Sequence, residues 1–81
     1  MYCIVHNDKV KHTFENKEEA IKVVDSLVNE TAIYYLNLNS VYTVNINVVD
    51  DIYTITGHYK FLNIELDTIF ETFRVEKKIN L

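Results

Sequence analysis

The chain has 81 residues, 48% of them apolar, with eight basic against twelve acidic side chains and a formal charge of −4. That length supports one hydrophobic core and one domain, and the apolar fraction is too high for a disordered chain. The acidic balance, with no basic stripe, works against phosphate binding and so against nucleic acid as a direct partner.

A single cysteine, Cys3, excludes an internal disulfide and points to a reducing compartment. The N-terminal MYCIVHNDK has a short apolar patch but neither a basic lead-in nor a small-residue cleavage site. No apolar run approaches the roughly 20 residues of a membrane-spanning helix. A cytoplasmic protein without membrane contact is the expectation. A core this small gains from burial between chains, which leaves a homodimer as the alternative to a monomer. Phe, Tyr, Met, Ile, Asn and Lys make 36 of the 81 residues, whereas Gly, Ala, Arg and Pro make four. These are the residues of AT-rich and GC-rich codons respectively, a bias that suits a low-GC bacterium or its phages and mobile elements.

In chain order, YCIVHNDKVKHTF reads as a hairpin. Placing the turn at Asp8 and Lys9 sets Cys3, Val5 and Asn7 opposite Phe14, His12 and Val10; a turn at Asn7 and Asp8 shifts that register. Next, FENKEEAIKVVDSLVNET carries Asn16 as a helix cap, with Glu19 three positions on. Ala20, Ile21, Val24, Leu27 and Val28 form an apolar stripe, so a helix is expected over about 17–29. Residues 31–38 are ambiguous. Ile33, Tyr34, Tyr35 and Leu36 favour a strand, the preferred reading, although the helical period also continues through them. Ser40 reads as a turn residue.

The stretch VYTVNINVVDDIYTITGHY gives the firmest register. With Asp50 and Asp51 as a two-residue turn, Tyr42, Val44, Ile46 and Val48 face Tyr59, Gly57, Ile55 and Tyr53. Thr43, Asn45 and Asn47 then face His58, Thr56 and Thr54 on an uncharged polar side. Gly57 falls among the apolar positions, leaving room for Tyr42 or the helix. A slip between Phe61 and Leu62 suggests a bulge or a bend, and NIEL and IFETFRVE read as two further strands around Asp67 and Thr68. A short helix capped by Asp67 competes for the second of these. The expected architecture is α+β: a mostly antiparallel sheet of four to six strands, order β-β-α-β-β-β with a possible sixth, and one helix across a face.

Little in this chain is reactive. One glycine cannot build a phosphate-cradling loop. Cys3 and His6 lie on opposite faces of a strand, as do His6 and His12 under the preferred register, so no metal site and no cofactor are expected. Of the nucleophile–base candidates, Cys3 with His12 and Ser26 or Ser40 with a histidine, the diagonal neighbours Cys3 and His12 are the pairing to consider, without an oxyanion donor or a third group to orient the base. Glu65 and Asp67 project to one side of a strand. Residues 50–71 hold Asp50, Asp51, Glu65, Asp67 and Glu71 against Lys60 alone, whereas residues 72–81 carry a net +2.

These features point to a small non-catalytic interaction protein. It would present an acidic edge and an exposed tyrosine, Tyr34, to a host protein, as a phage or mobile-element inhibitor of a host enzyme does. One alternative is a nucleic-acid mimic whose carboxylates occupy the basic groove of a nucleic-acid-binding enzyme. Another is a small oligomeric enzyme or ligand-binding protein using Cys3, His12 or His58.

Overall fold

Four residues in left-handed backbone set the two hairpins from which the sheet is built. Asn7 and Asp8 have φ of 49° and 69°, and Asp50 and Asp51 have 50° and 63°. Asn and Asp tolerate this region, and two such residues in succession make the tight turn whose twist matches antiparallel strands. The computed structural model describes residues 1–38 and 41–78, without the side chains of Val41, Tyr42 and Phe61; Ser40 lies outside the described residues.

The elements are β1 (Tyr2–His6), β2 (Lys9–Phe14), α1 (Lys17–Leu36), β3 (Val41–Val49), β4 (Ile52–Phe61) and β5 (Ile64–Lys77). They form one antiparallel five-stranded sheet in the order β2-β1-β5-β4-β3 with the helix on one face, an α+β fold. The fourteen-residue β5 is the spine. It pairs with β4 from Ile64 to Arg74 and with β1 only from Phe73 to Lys77. The two hairpins are therefore offset along it, and the molecule is drawn out to 52 × 20 × 18 Å.

The first hairpin corrects the expected register. Its turn is Asn7–Asp8, and β1 is paired Tyr2 to Phe14, Cys3 to Thr13 and Ile4 to His12, with a shift after Ile4 that pairs Val5 with Val10. That irregularity accommodates Lys11 and keeps the turn on the two residues best suited to it. Tyr2 and Ile4 consequently join the core beneath the helix, and His6 and His12 share that face. Cys3 and Val5 point to the other face, where both are buried without a helix above them. Val5 lies between Val10 and Arg74, whose guanidinium reaches Asp8 at 3.1 Å and also bonds Glu76. The aliphatic stem of such a tethered arginine can cover apolar neighbours while its charge stays wet.

The helix begins as its cap specifies: the Glu19 N–H donates to Asn16 Oδ1 at 2.9 Å. It does not end near 29. Ala20, Val24, Val28 and Ala32 form one buried line at i+4 spacing, and the helix continues through Leu36. The strand expected at 31–38 is overruled by packing. Ala32 is buried, and the ring of Tyr35 stacks on Phe70 of β5 with centroids 4.2 Å apart and planes within 3°. At 1.5 Å per residue the longer helix spans about 30 Å. It starts beside the Asp50–Asp51 turn, where Lys17 Nζ meets Asp51 Oδ2 at 2.7 Å, and finishes over Phe70. The final turn tightens as Asn37 N–H donates to Ile33 O and Tyr34 O.

The second hairpin follows the expected register from Thr43–His58 to Val48–Tyr53. At its open end a shift pairs Val41, rather than Tyr42, with Tyr59. Asn45 and Asn47 face solvent, and Ile55 and Tyr53 are buried in the core. The slip at Phe61–Leu62 is a turn and not a bulge. Leu62 has φ of 56°, Phe61 pairs with Ile64, and the two segments around Asp67 and Thr68 are one continuous strand. The bulge falls instead at Phe70, between the Ile55–Glu71 and Thr56–Ile69 pairs.

That bulge explains Gly57. The expected occupant of its space was Tyr42 or the helix; the ring of Phe70 takes it. A Cβ on Gly57 would lie 2.5 Å from Phe70 Cζ and 3.0 Å from the Thr43 carbonyl oxygen. Phe70 is held between the Tyr35 stack and the edge of Tyr59 at 5.3 Å, so it has little freedom to yield. Gly57→Ala is expected to lower stability by about 1–3 kcal/mol in chemical denaturation. An unchanged midpoint would contradict this packing.

Candidate functional site

The end of the molecule where α1 terminates and the β4–β5 hairpin projects gathers packed aromatic rings and exposed apolar side chains. An aromatic ladder runs across it. Tyr34 meets Tyr35 edge-on at 5.3 Å, Tyr35 stacks on Phe70, and Phe70 meets Tyr59 edge-on. In the register Tyr59 faces Leu66, and beyond it Phe61 faces Ile64 at the hairpin tip. Tyr34 is 62% exposed, and Ile33, Leu36, Ile64 and Leu66 are each more than half exposed. Leu62 is 81% exposed, in left-handed backbone that a branched side chain rarely adopts.

Glu65 and Asp67 lie on the opposite face of the same hairpin. His58 Nδ1 bonds Asp67 Oδ1 at 2.8 Å, and Lys60 Nζ approaches Glu65 at 3.8 Å. Both carboxylates remain well exposed. The edge of β5 away from β4 is open here. β1 pairing stops where Asn7 N–H donates to Thr72 O and Asn7 Oδ1 accepts from Thr72 N–H, each at 3.0 Å. From Ile64 to Glu71 no described strand lies on that side.

The six residues expected to contact a partner do not converge. Tyr34, Glu65 and Asp67 belong to this end. Glu71 sits close by but inward, bonded to His6 and facing the Tyr35 hydroxyl on the helix side. Asp50 and Asp51 form the turn at the other end, about 25 Å away along β5 at the usual rise per residue. Leu62, Ile64 and Leu66 were not anticipated as site residues. The signal available for them was the broken alternation at Phe61–Leu62, which marks a turn flanked by apolar residues.

The reactive combinations come apart. Ile4, not Cys3, stands opposite His12, so Cys3 and His12 occupy different faces of the sheet. Cys3 is buried, and His58 lies at the far hairpin. Among the described residues no group of three or more His, Cys, Asp or Glu is arranged to hold a metal ion. His6 stacks on Phe73 with centroids 4.1 Å apart, a structural use of that ring. No described helix is long and apolar enough to cross a membrane. Comparisons with protein-family models, curated proteins and solved structures returned no match.

Two tyrosines report on the packing. The Tyr35 phenol is pushed up to about 12, by burial first and then by the Glu71 carboxylate. Tyr53 is also pushed up to about 12, by burial and then by Asp25. An unfolded chain ionises tyrosine near pH 10, so above that pH it releases protons the folded state retains. Their contribution is therefore complete below about pH 10 and lost as pH rises towards 12. Urea midpoints across this window are expected to fall, and less steeply in Tyr35→Phe. Equal slopes in variant and wild type would contradict the placement of Tyr35.

Proposed function

We propose that this chain is a small, acidic, non-catalytic interaction protein that docks on another protein through the α1–hairpin end. Leu62 carries the reading. A leucine at a hairpin tip, in backbone that glycine or asparagine adopts at lower cost and almost wholly exposed, gives folding nothing. Such a residue fits an interface anchor, and the exposed Ile64, Leu66 and Tyr34 extend it into a patch of the apolar and aromatic kind that dominates interface energy. Glu65 and Asp67, on the opposite face of the same hairpin, lie outside that patch and would favour a basic surface only on a partner that wraps around the hairpin tip.

The coding bias supports a phage or mobile-element origin, with an enzyme of a low-GC bacterial host as the partner, met in the cytoplasm. Apolar anchors favour this over mimicry of nucleic acid, because the carboxylates are divided between two ends and partly engaged by His58 and Lys60. Affinity capture from such a host's lysate tests the reading. One stoichiometric protein partner, retained in about 0.5 M NaCl where screening is strong, is expected. Capture that vanishes at that salt and is competed by DNA would support mimicry instead.

A further inference from the structure

The two outer edges of the sheet are treated differently by the sequence. β2 is short, carries Lys9 and Lys11, and is broken by the register shift opposite Ile4–Val5. Lysines and irregularities of this kind keep an edge from pairing with another chain. β3 has none of these protections along most of its length. Its nine residues, VYTVNINVV, include no charged residue, no proline and no glycine, and its single irregularity lies at the Val41–Thr43 start. From Thr43 to Val49 every residue except Val44 is exposed, Val48 by 55% and Val49 by 65%. No described strand lies on its outer side.

We propose that β3 is an association edge whose occupant is β3 of a second copy, laid antiparallel about a two-fold axis through Ile46. In that register Ile46 meets Ile46, Val44 meets Val48, Asn45 meets Asn47 and Thr43 meets Val49. Each pair joins residues of one face, because an antiparallel two-fold through a residue preserves the alternation. The charge pattern selects this occupant. The strand itself is neutral, and Asp50 of one copy falls opposite position 42 of the other, so no acid confronts an acid although each chain carries −4. The open stretch of β5 is the contrasting case. It holds Glu65, Asp67 and Glu71 and no base, and a second copy laid there would bring acid against acid. The uncharged Thr/Asn face of β3 is thus what a self-pairing edge needs, and the paired sheet would run through ten strands.

Sedimentation velocity on the full chain, from low micromolar to several hundred micromolar, tests this. Wild type is expected to reach twice the 9.6 kDa chain mass. Asn45→Lys with Asn47→Lys places like charges opposite each other at exposed positions and is expected to raise the dimer dissociation constant roughly tenfold or more. Asn45→Asp with Asn47→Asp should behave likewise, and an equimolar mixture of the two variants should restore the dimer. Circular dichroism checks that each variant is folded. A wild type that stays monomeric throughout, a dimer that persists in the lysine variant, or a mixture of folded variants that fails to associate would overturn the proposal.

Discussion

Replacing Phe73 with alanine is expected to lower folding stability by about 3–5 kcal/mol, the usual loss for a buried phenylalanine. Phe73 is 2% exposed and stands where β5 first acquires neighbours on both sides. It faces Tyr53 across β4 and His6 across β1, and it stacks on the His6 ring. The two hairpins share no direct pairing, so their relative placement depends on this junction and on the helix above it. A domain of this length has a total stability of roughly 4–12 kcal/mol, so the loss is a large share of it. Urea denaturation followed by circular dichroism measures the change. A shift below about 1 kcal/mol would mean that the junction is held elsewhere.

The second large effect is on binding. Tyr34→Ala combined with Ile64→Ser and Leu66→Ser removes three exposed side chains from the α1–hairpin end. Exposed positions away from caps and cores usually change stability by about 0.5 kcal/mol or less, so the fold should persist. If these side chains anchor the partner, truncating them should weaken binding by roughly 100-fold or more, since each hot-spot residue contributes about 2 kcal/mol. Isothermal titration calorimetry with the captured partner reads this directly. A dissociation constant within about threefold of wild type, less than the loss of one hot spot, would place the interface elsewhere.

The hairpin from Thr43 to His58 was legible because two independent patterns agree on one register, the apolar alternation and the paired aspartates. The first hairpin was not, because the irregularity at Lys11 lets either turn fit the composition. Residues 31–36 were misread for a different reason. Their β-branched and aromatic side chains favour strand locally, but Ala32 and Tyr35 find partners only in the folded sheet, and the Tyr35–Phe70 stack is invisible to a local window. The acidic residues illustrate what a linear charge count misses. Asp50–Asp51 and Glu65–Asp67 are close in sequence, yet turns at both ends of β4 send them to opposite ends of the sheet. That consequence was contained in the turn assignments themselves. The apolar tip was hidden because a leucine is not an expected turn residue, and its left-handed φ is what singles it out.

The docking claim is tested most directly by affinity capture from host lysate with three baits: wild type, the Tyr34/Ile64/Leu66 variant, and Asp50→Asn with Asp51→Asn as a control at the far end. Asparagine suits the left-handed turn, so the control should fold. The expected result is one stoichiometric partner on wild type and on the control, and none on the α1–hairpin variant. Equal capture by all three baits, or no stoichiometric partner on any of them, would contradict it.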